Sequence, residues 1–166
     1  PSSSPAPSPP QAADVIVSSP SSPTSSPPPP PQYDVVVYGS SPAGIAAAIA
    51  ASSLGMHVLL LEPLNMIGGM GSAGNLALND GGMNAERTGL ALHFSLINGV
   101  HYYGKKSNRQ VPHPESFVSN ATFYTMLKNA NFDVHNDLFL GCRIVTVNND
   151  AKKTKINSIV VTCFSQ

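Results

Sequence analysis

The chain has 166 residues, of which 42% are hydrophobic and 11% are charged, and its nine basic and nine acidic side chains give a net charge of zero. This length predicts one small domain, and the balanced charge argues against a nucleic acid or an anionic membrane surface as the main partner. No apolar run reaches the roughly 18 residues that a membrane-spanning helix needs, so we predict no membrane span.

The first 32 residues differ in composition from the rest of the chain. Residues 1–32 hold 12 of the 16 prolines, and Val15–Val17 is their only run of large apolar side chains. Such a segment buries too little hydrophobic surface to offset the entropy of ordering. We therefore predict a disordered Pro/Ser-rich linker over residues 1–32 and a folded domain over residues 33–166. The PxxP spacing in Pro28–Pro31 leaves open a role as a ligand for an aromatic-lined groove in a partner.

The chain opens with proline and shows no signal peptide. We expect the original N-terminus to have been processed away or left out. The sequence therefore predicts no particular cellular compartment.

The folded part is predicted to begin at Tyr33. The run YDVVVYG is typical of a strand that is buried on both faces and ends at Gly39. An alanine-rich stretch with helical spacing follows and stops at Gly55, and His57–Leu61 predicts a second buried strand. Residues 33–62 therefore predict a strand, a helix and a parallel strand with a right-handed connection.

The remainder predicts a loop, helices and a β meander. Residues 64–84 are rich in glycine, alanine and asparagine, which favours a long functional loop. The later elements are predicted as a short helix at 86–97, an exposed turn-rich stretch at 99–114, a helix at 115–129, and strands at 134–135, 142–147 and 156–161, the last two joined by a hairpin turn. Cys142 and Cys163 match no metal or redox spacing and are predicted to be free thiols. The five histidines are scattered without the spacing of a metal site.

A glycine motif stands between the first predicted strand and the first predicted helix. A first glycine permits the tight turn out of a strand, and a last glycine lets the helix pack against the sheet. The N-terminus of the helix then offers free N–H groups and a positive dipole end to a pyrophosphate. The residues of this motif are Gly39, Ser40, Ser41, Pro42, Ala43 and Gly44. Ser41 replaces the usual second glycine, which crowds a pyrophosphate but adds a hydroxyl donor.

A carboxylate is expected about 20 residues after the first glycine, at the end of the second strand, where it reaches ribose hydroxyls. Glu62 stands at that position. Strand, glycine motif, helix, second strand and glutamate in register predict a dinucleotide site.

These residues resemble the N-terminal cofactor-binding segment of the FAD-dependent oxidoreductases, within the glutathione-reductase-like flavoproteins. The resemblance covers YDVVVYGSSPAGIAAAIAASSLGMHVLLLEP and the following Gly68, Gly69 and Met70. It implies an α/β, Rossmann-like dinucleotide-binding unit with FAD as cofactor, Pro63 beside the ribose carboxylate, and the Gly68–Met70 loop near the flavin end. A weaker similarity over residues 117–161 implies a main-chain contact from Ile144 to adenine.

The resemblance also implies that the FAD site is incomplete here. The family pattern continues beyond Gln166 with a further strand that touches the flavin, and a substrate domain follows, so we expect a fragment of a flavin-dependent oxidoreductase. Its small-molecule substrate and catalytic residues are unknown.

Two alternatives stay open. One is a fragment of an NAD-dependent dehydrogenase that uses the same glycine motif. Glu62 would suit NAD over NADP, because its negative charge would repel the 2′-phosphate of NADP. The other is a non-catalytic fragment whose proline-rich arm binds a partner.

Overall fold

The computed structural model describes residues 30–72, 89–152 and 154–164. Most of the predicted linker at 1–32 and most of the predicted loop at 64–84 lie outside these ranges. The described elements, in chain order, are β1 (Val35–Tyr38), α1 (Pro42–Ser53), β2 (Val58–Glu62), a short 3₁₀ turn (Gly69–Gly71), α2 (Gly89–Tyr103), α3 (Ser116–Asn129), β3 (Leu138–Leu140), β4 (Cys142–Asn149) and β5 (Ile156–Cys163).

The predicted strand, helix and parallel strand over residues 33–62 are confirmed. β1 pairs with β2 in parallel, with Val35 opposite Val58 and Tyr38 opposite Leu61. β3 adds to the other edge of β2, also in parallel. β2 is therefore the central strand, and all five of its residues are buried. The buried strand was predicted at His57–Leu61, but His57 precedes the strand and is exposed. The fold class is α/β with a parallel sheet.

The first strand is less buried than its sequence predicts. Its residues alternate between half-buried and exposed, and Val36 and Tyr38 are 38% and 51% exposed. Val35 and Val37 pack on the core that α1 and α3 build against the sheet. The prediction of a strand buried on both faces was wrong because, among the described residues, the opposite face of β1 has no comparable cover.

The α2 helix is longer than predicted, and the stretch that follows it packs on it. α2 continues to Tyr103, so the expected turn-rich stretch at 99–114 begins as a helix. The side chain of Asn98 is fully buried, donates to the carbonyl of Val111 at 3.0 Å and accepts from the hydroxyl of Thr122 at 2.6 Å. One amide thereby joins α2, the following loop and α3.

Within the described ranges, no helix combines the length and apolar character that a bilayer crossing requires.

The predicted strand at Val134–His135 is wrong. The carboxylate of Asp133 accepts from the N–H groups of His135 and Asn136, which closes a turn there. The side-chain amide of Asn136, followed by those two N–H groups, holds the pKa of Asp133 below its usual value. The strand begins later, at Leu138, where the chain rejoins the parallel sheet.

The C-terminal hairpin is confirmed, but the cysteines are not free thiols. β4 and β5 pair antiparallel, with Cys142 opposite Cys163, and the two sulfurs form a disulfide. The two cysteines are 21 residues apart in sequence, and their spacing does not predict a contact. They meet because the hairpin places Cys142 opposite Cys163. By loop entropy alone, such a link stabilises the fold by about 3 kcal/mol. It secures the base of a two-stranded sheet that packs on Leu59 and Leu61 of β2.

We expect Gly99→Ala to destabilise the protein, against the usual gain of about 1 kcal/mol for alanine over glycine in a helix interior. A Cβ at this position would overlap the carbonyl oxygen of Arg109. The overlap should lower the free energy of unfolding by about 1–3 kcal/mol. Urea denaturation measures this change, with Gly71→Ala as the control because a Cβ there meets no heavy atom within 4 Å. An unchanged or higher stability of Gly99→Ala would contradict the packing described here.

Candidate functional site

The glycine motif forms the turn from β1 into α1. Gly39 has a φ of +96°, a conformation that favours glycine, and its N–H donates to the carbonyl of Leu61 at 2.7 Å. Ser41 caps α1 by accepting from the N–H of Gly44 at 3.4 Å, and Pro42 is the first helical residue. A Cβ on Gly44 would overlap the carbonyl oxygen of Gly39. The structure therefore places both motif glycines where the expected packing requires them.

The start of α1 offers unused donors at the surface. Ser41, Pro42 and Ala43 are exposed, whereas the preceding Ser40 is fully buried. Within the described part of the chain, the N–H groups of Ser41 and Ala43 have no acceptor. Unused N–H groups and the positive end of the helix dipole together favour an anion at this position. The Ser41 hydroxyl uses only its oxygen in the cap, so its proton stays available for donation.

Glu62 lies directly beside this turn. Its side chain is buried, with 6% of the residue exposed. One carboxylate oxygen, Oε2, accepts from the N–H of Ser40 at 2.7 Å and from the Ser40 hydroxyl at 2.5 Å. The other oxygen, Oε1, accepts from the N–H of Leu64 at 2.8 Å. The structure thus brings the predicted carboxylate and the predicted turn into direct contact.

The loop at Gly68–Met70 lies against the same turn. The N–H of Gly68 donates to the carbonyl of Ser40 at 2.7 Å. A Cβ on Gly68 would come within 2.6 Å of the Phe123 ring, and a Cβ on Gly69 would lie 3.3 Å from the Cα of Ser41. Both glycines have a positive φ. Close approach and backbone conformation therefore both require glycine here, while Met70 is exposed at the end of the loop.

A backbone hydrogen bond joins the chain after β2 to the chain before β4, and Pro63 and Ile144 lie close to it in sequence. Pro63 follows Glu62 directly and is half-buried. The carbonyl of Leu64 accepts from the N–H of Gly141, one residue before β4. Ile144 then packs against the cluster of Leu59, Leu61 and Cys142. Ile144 is thereby placed on a strand that packs against the strand ending in Glu62.

Sequence reasoning missed two residues that donate to Glu62. It places Ser40 in the glycine motif without a contact to Glu62, and it gives Leu64 no role in the site. The N–H of Leu64 leaves no signal in the sequence because any residue other than proline offers one. The hydroxyl of Ser40 is a visible signal, but its target depends on the register of β1 against β2. Among the described residues, no three His, Cys, Asp or Glu side chains are grouped to hold a metal ion.

Comparison with known proteins gives a family match for the part of the chain that contains this turn. A family profile described as FAD dependent oxidoreductase matches residues 34–165. The match includes the turn, Glu62, the Gly68–Met70 loop and the hairpin.

Two curated relatives are fumarate reductases. The chain is 43% identical over 68 residues to an NADH:fumarate oxidoreductase of Klebsiella pneumoniae (strain 342), a match that covers 41% of this chain and 6% of that protein. It is 49% identical over 55 residues to a fumarate reductase (cytochrome) of Shewanella frigidimarina, covering 33% of this chain and 9% of that protein. The chain thus spans less than a tenth of either relative.

A solved structure shares the fold. The crystal structure of THI4 from Thermovibrio ammonificans matches with a TM-score of 0.51 at 18% identity, over 79% of this chain and 48% of that one. At this level of identity the likeness concerns the fold alone.

We expect Gly44→Ala to destabilise the protein far more than Ser41→Gly. The added Cβ at 44 separates α1 from the end of β1, which should lower the free energy of unfolding by about 1–3 kcal/mol. Glycine is a tolerated helix cap, so Ser41→Gly should lower it by only a few tenths of a kcal/mol. Urea denaturation of both variants measures the difference. Equal losses would show that position 44 does not set the spacing between strand and helix.

Proposed function

The chain belongs to the family of FAD-dependent oxidoreductases, and from this premise we propose that residues 39–70 bind the adenosine diphosphate half of FAD. One observation carries the proposal: the buried carboxylate of Glu62 is hydrogen-bonded to the turn that opens α1. A ribose acceptor and an anion-binding helix terminus therefore stand side by side, as the adenosine ribose and the pyrophosphate of a dinucleotide require.

The start of α1 fits the pyrophosphate. The N–H groups of Ser41 and Ala43 supply the donors, the Ser41 hydroxyl adds a third, and the exposed surface of Ser41–Ala43 leaves the approach open. Pro42 offers no N–H but stiffens the first turn. Gly39 and Gly44 act indirectly, because they allow the turn and the helix packing that aim these donors.

The carboxylate of Glu62 fits a ribose hydroxyl. An ionised carboxylate has about four acceptor positions on its two oxygens. Three are occupied by protein donors, two on Oε2 and one on Oε1. One position on Oε1 is left for a ligand, which supports a single charge-assisted hydrogen bond from the ribose.

The other assigned residues extend the proposal along the cofactor. We assign the Gly68–Met70 loop, in which the Met70 side chain is exposed, to the side that leads toward the flavin. Pro63 shapes the turn after the ribose carboxylate. The main chain at Ile144 is assigned to adenine.

Bound FAD supplies the oxidation and reduction chemistry of such an enzyme, and the residues named here bind and orient it. The proposed activity is therefore electron transfer between FAD and a small-molecule substrate. Fumarate is the substrate in the names of the two relatives, but their matches span 68 and 55 residues only.

The family match favours neither alternative. An NAD-dependent dehydrogenase would use the same turn, yet the matched family is defined by FAD. A role for the proline-rich arm as a partner ligand rests on residues that lie mostly outside the described ranges, and it has no support from the matched segment.

We expect Glu62→Ala to weaken FAD binding by about tenfold to a hundredfold. Hydrogen bonds to charged groups contribute about 1.5–3 kcal/mol, and 1.4 kcal/mol corresponds to a factor of ten in affinity. Equilibrium titration followed by flavin fluorescence measures the change. FMN lacks the adenosine ribose, so any affinity for FMN should be unaffected.

Asp34→Ala is the matched control. Asp34 also accepts a backbone N–H, from His57 at 2.9 Å, but it lies at the opposite end of the same strand pair. Removal of the Asp34 carboxylate should leave the affinity for FAD unchanged. The assignment of the ribose site would be overturned if Glu62→Ala left the affinity for FAD unchanged, or if it lowered the affinity for FMN as much as that for FAD.

A further inference from the structure

Ser40 is engaged at every polar atom it has. Its N–H and its hydroxyl both donate to Oε2 of Glu62, and its carbonyl accepts from the N–H of Gly68. It is fully buried, unlike Ser41, which follows it. Ser40 therefore faces the protein where its neighbour faces the solvent, although both belong to the same motif.

The charge of Glu62 has no ionic partner among the described residues. In those ranges, the contact between a basic and an acidic side chain is that of the His57 ring with Asp137, at the other end of the strands. An ionised carboxylate with little exposure must then be stabilised by hydrogen bonds from neutral donors. Two of the three donors to this carboxylate come from Ser40, and bonds to a charged acceptor are about twice as strong as neutral ones.

The two donors also determine the rotation of the carboxylate. The terminal torsion of a glutamate side chain is broad and has no strong intrinsic preference. Ser40 holds Oε2 with its N–H and its hydroxyl, and its carbonyl is itself bonded to the N–H of Gly68. The free acceptor position is thereby left on Oε1, the oxygen that Leu64 holds with one bond.

Resting on the proposed function, we infer that Ser40 is a positioning residue for FAD. Its hydroxyl holds the Glu62 carboxylate so that Oε1 accepts one hydrogen bond from the adenosine ribose. Ser40 itself acts through Glu62 and does not contact the cofactor. This role differs from that of Ser41, which presents its donors directly to the pyrophosphate.

The test is Ser40→Ala in the purified protein, with two ligands. One ligand is FAD, and the other is an FAD analogue whose adenosine ribose lacks both hydroxyls. We expect Ser40→Ala to weaken FAD by about tenfold, the effect of losing one hydrogen bond to a charged group. The analogue should bind the wild-type protein and Ser40→Ala equally, because it makes no bond to Glu62.

A double-mutant cycle adds a second readout. In a Glu62→Ala background, Ser40→Ala should cause no further loss of FAD affinity, since the residue through which Ser40 acts is gone. Ser95→Ala is the matched control. Ser95 is also fully buried and donates its hydroxyl, to the carbonyl of Leu92 at 2.9 Å, but it lies in α2. That variant should bind FAD like the wild-type protein.

Each other outcome counts against a different statement. If Ser40→Ala weakens FAD and the analogue equally, the serine merely supports the fold and the inference is wrong. If Glu62→Ala weakens FAD while Ser40→Ala does not, the inference fails and the proposed function stands. If Glu62→Ala has no effect on FAD, the proposed ribose site itself is wrong.

Discussion

The buried carboxylate of Glu62 is the constraint on which the arrangement of the site depends. A charge with so little exposure and no described ionic partner needs nearby donors, and the fold supplies them from two directions. Ser40 reaches it from the end of β1, and Leu64 reaches it from the chain that leaves β2. Ser40 also binds the loop at Gly68, and Leu64 binds the chain before β4. Each of the two residues that donate to Glu62 is therefore also bonded, through its carbonyl, to a neighbouring segment of the fold.

The two ends of the parallel strands have different roles. At the carboxyl ends, donors of the α1 terminus are unused and an acceptor position on Glu62 is left, which suits ligand binding in an open α/β sheet. At the amino ends, polar groups satisfy one another: the His57 ring contacts Asp137 at 3.2 Å, and Asp34 accepts the His57 N–H. Burial, and then the nearby charge of Asp137, raise the pKa of Tyr33 in the same cluster. The amino ends thus tie the strands together, and the carboxyl ends are left for the proposed cofactor site.

The sequence could predict the βαβ unit because its signals are local. Strand, turn, helix and strand over residues 33–62 each follow from neighbouring residues, and so does the placement of Glu62 at a strand end. The hairpin over β4 and β5 was predicted for the same reason. The continuation of α2 past Ile97 was not predicted, because the bonds of Asn98 to Val111 and Thr122 join residues that are far apart along the chain. The strand expected at Val134 was displaced by the turn that Asp133 closes, which no periodicity reveals.

By itself, the sequence determined the class of this protein: the glycine motif and the carboxylate at the correct spacing indicate a dinucleotide site, and with the Gly68–Met70 loop they resemble the FAD-dependent oxidoreductases, the family that residues 34–165 match. Only the tertiary structure decided how these pieces meet. The hydroxyl of Ser40 reaches Glu62 because parallel pairing brings positions 22 residues apart together. The cysteines pair because the register of β4 against β5 places them opposite each other. Contacts between distant residues depend on strand register, which spacing along the chain does not encode.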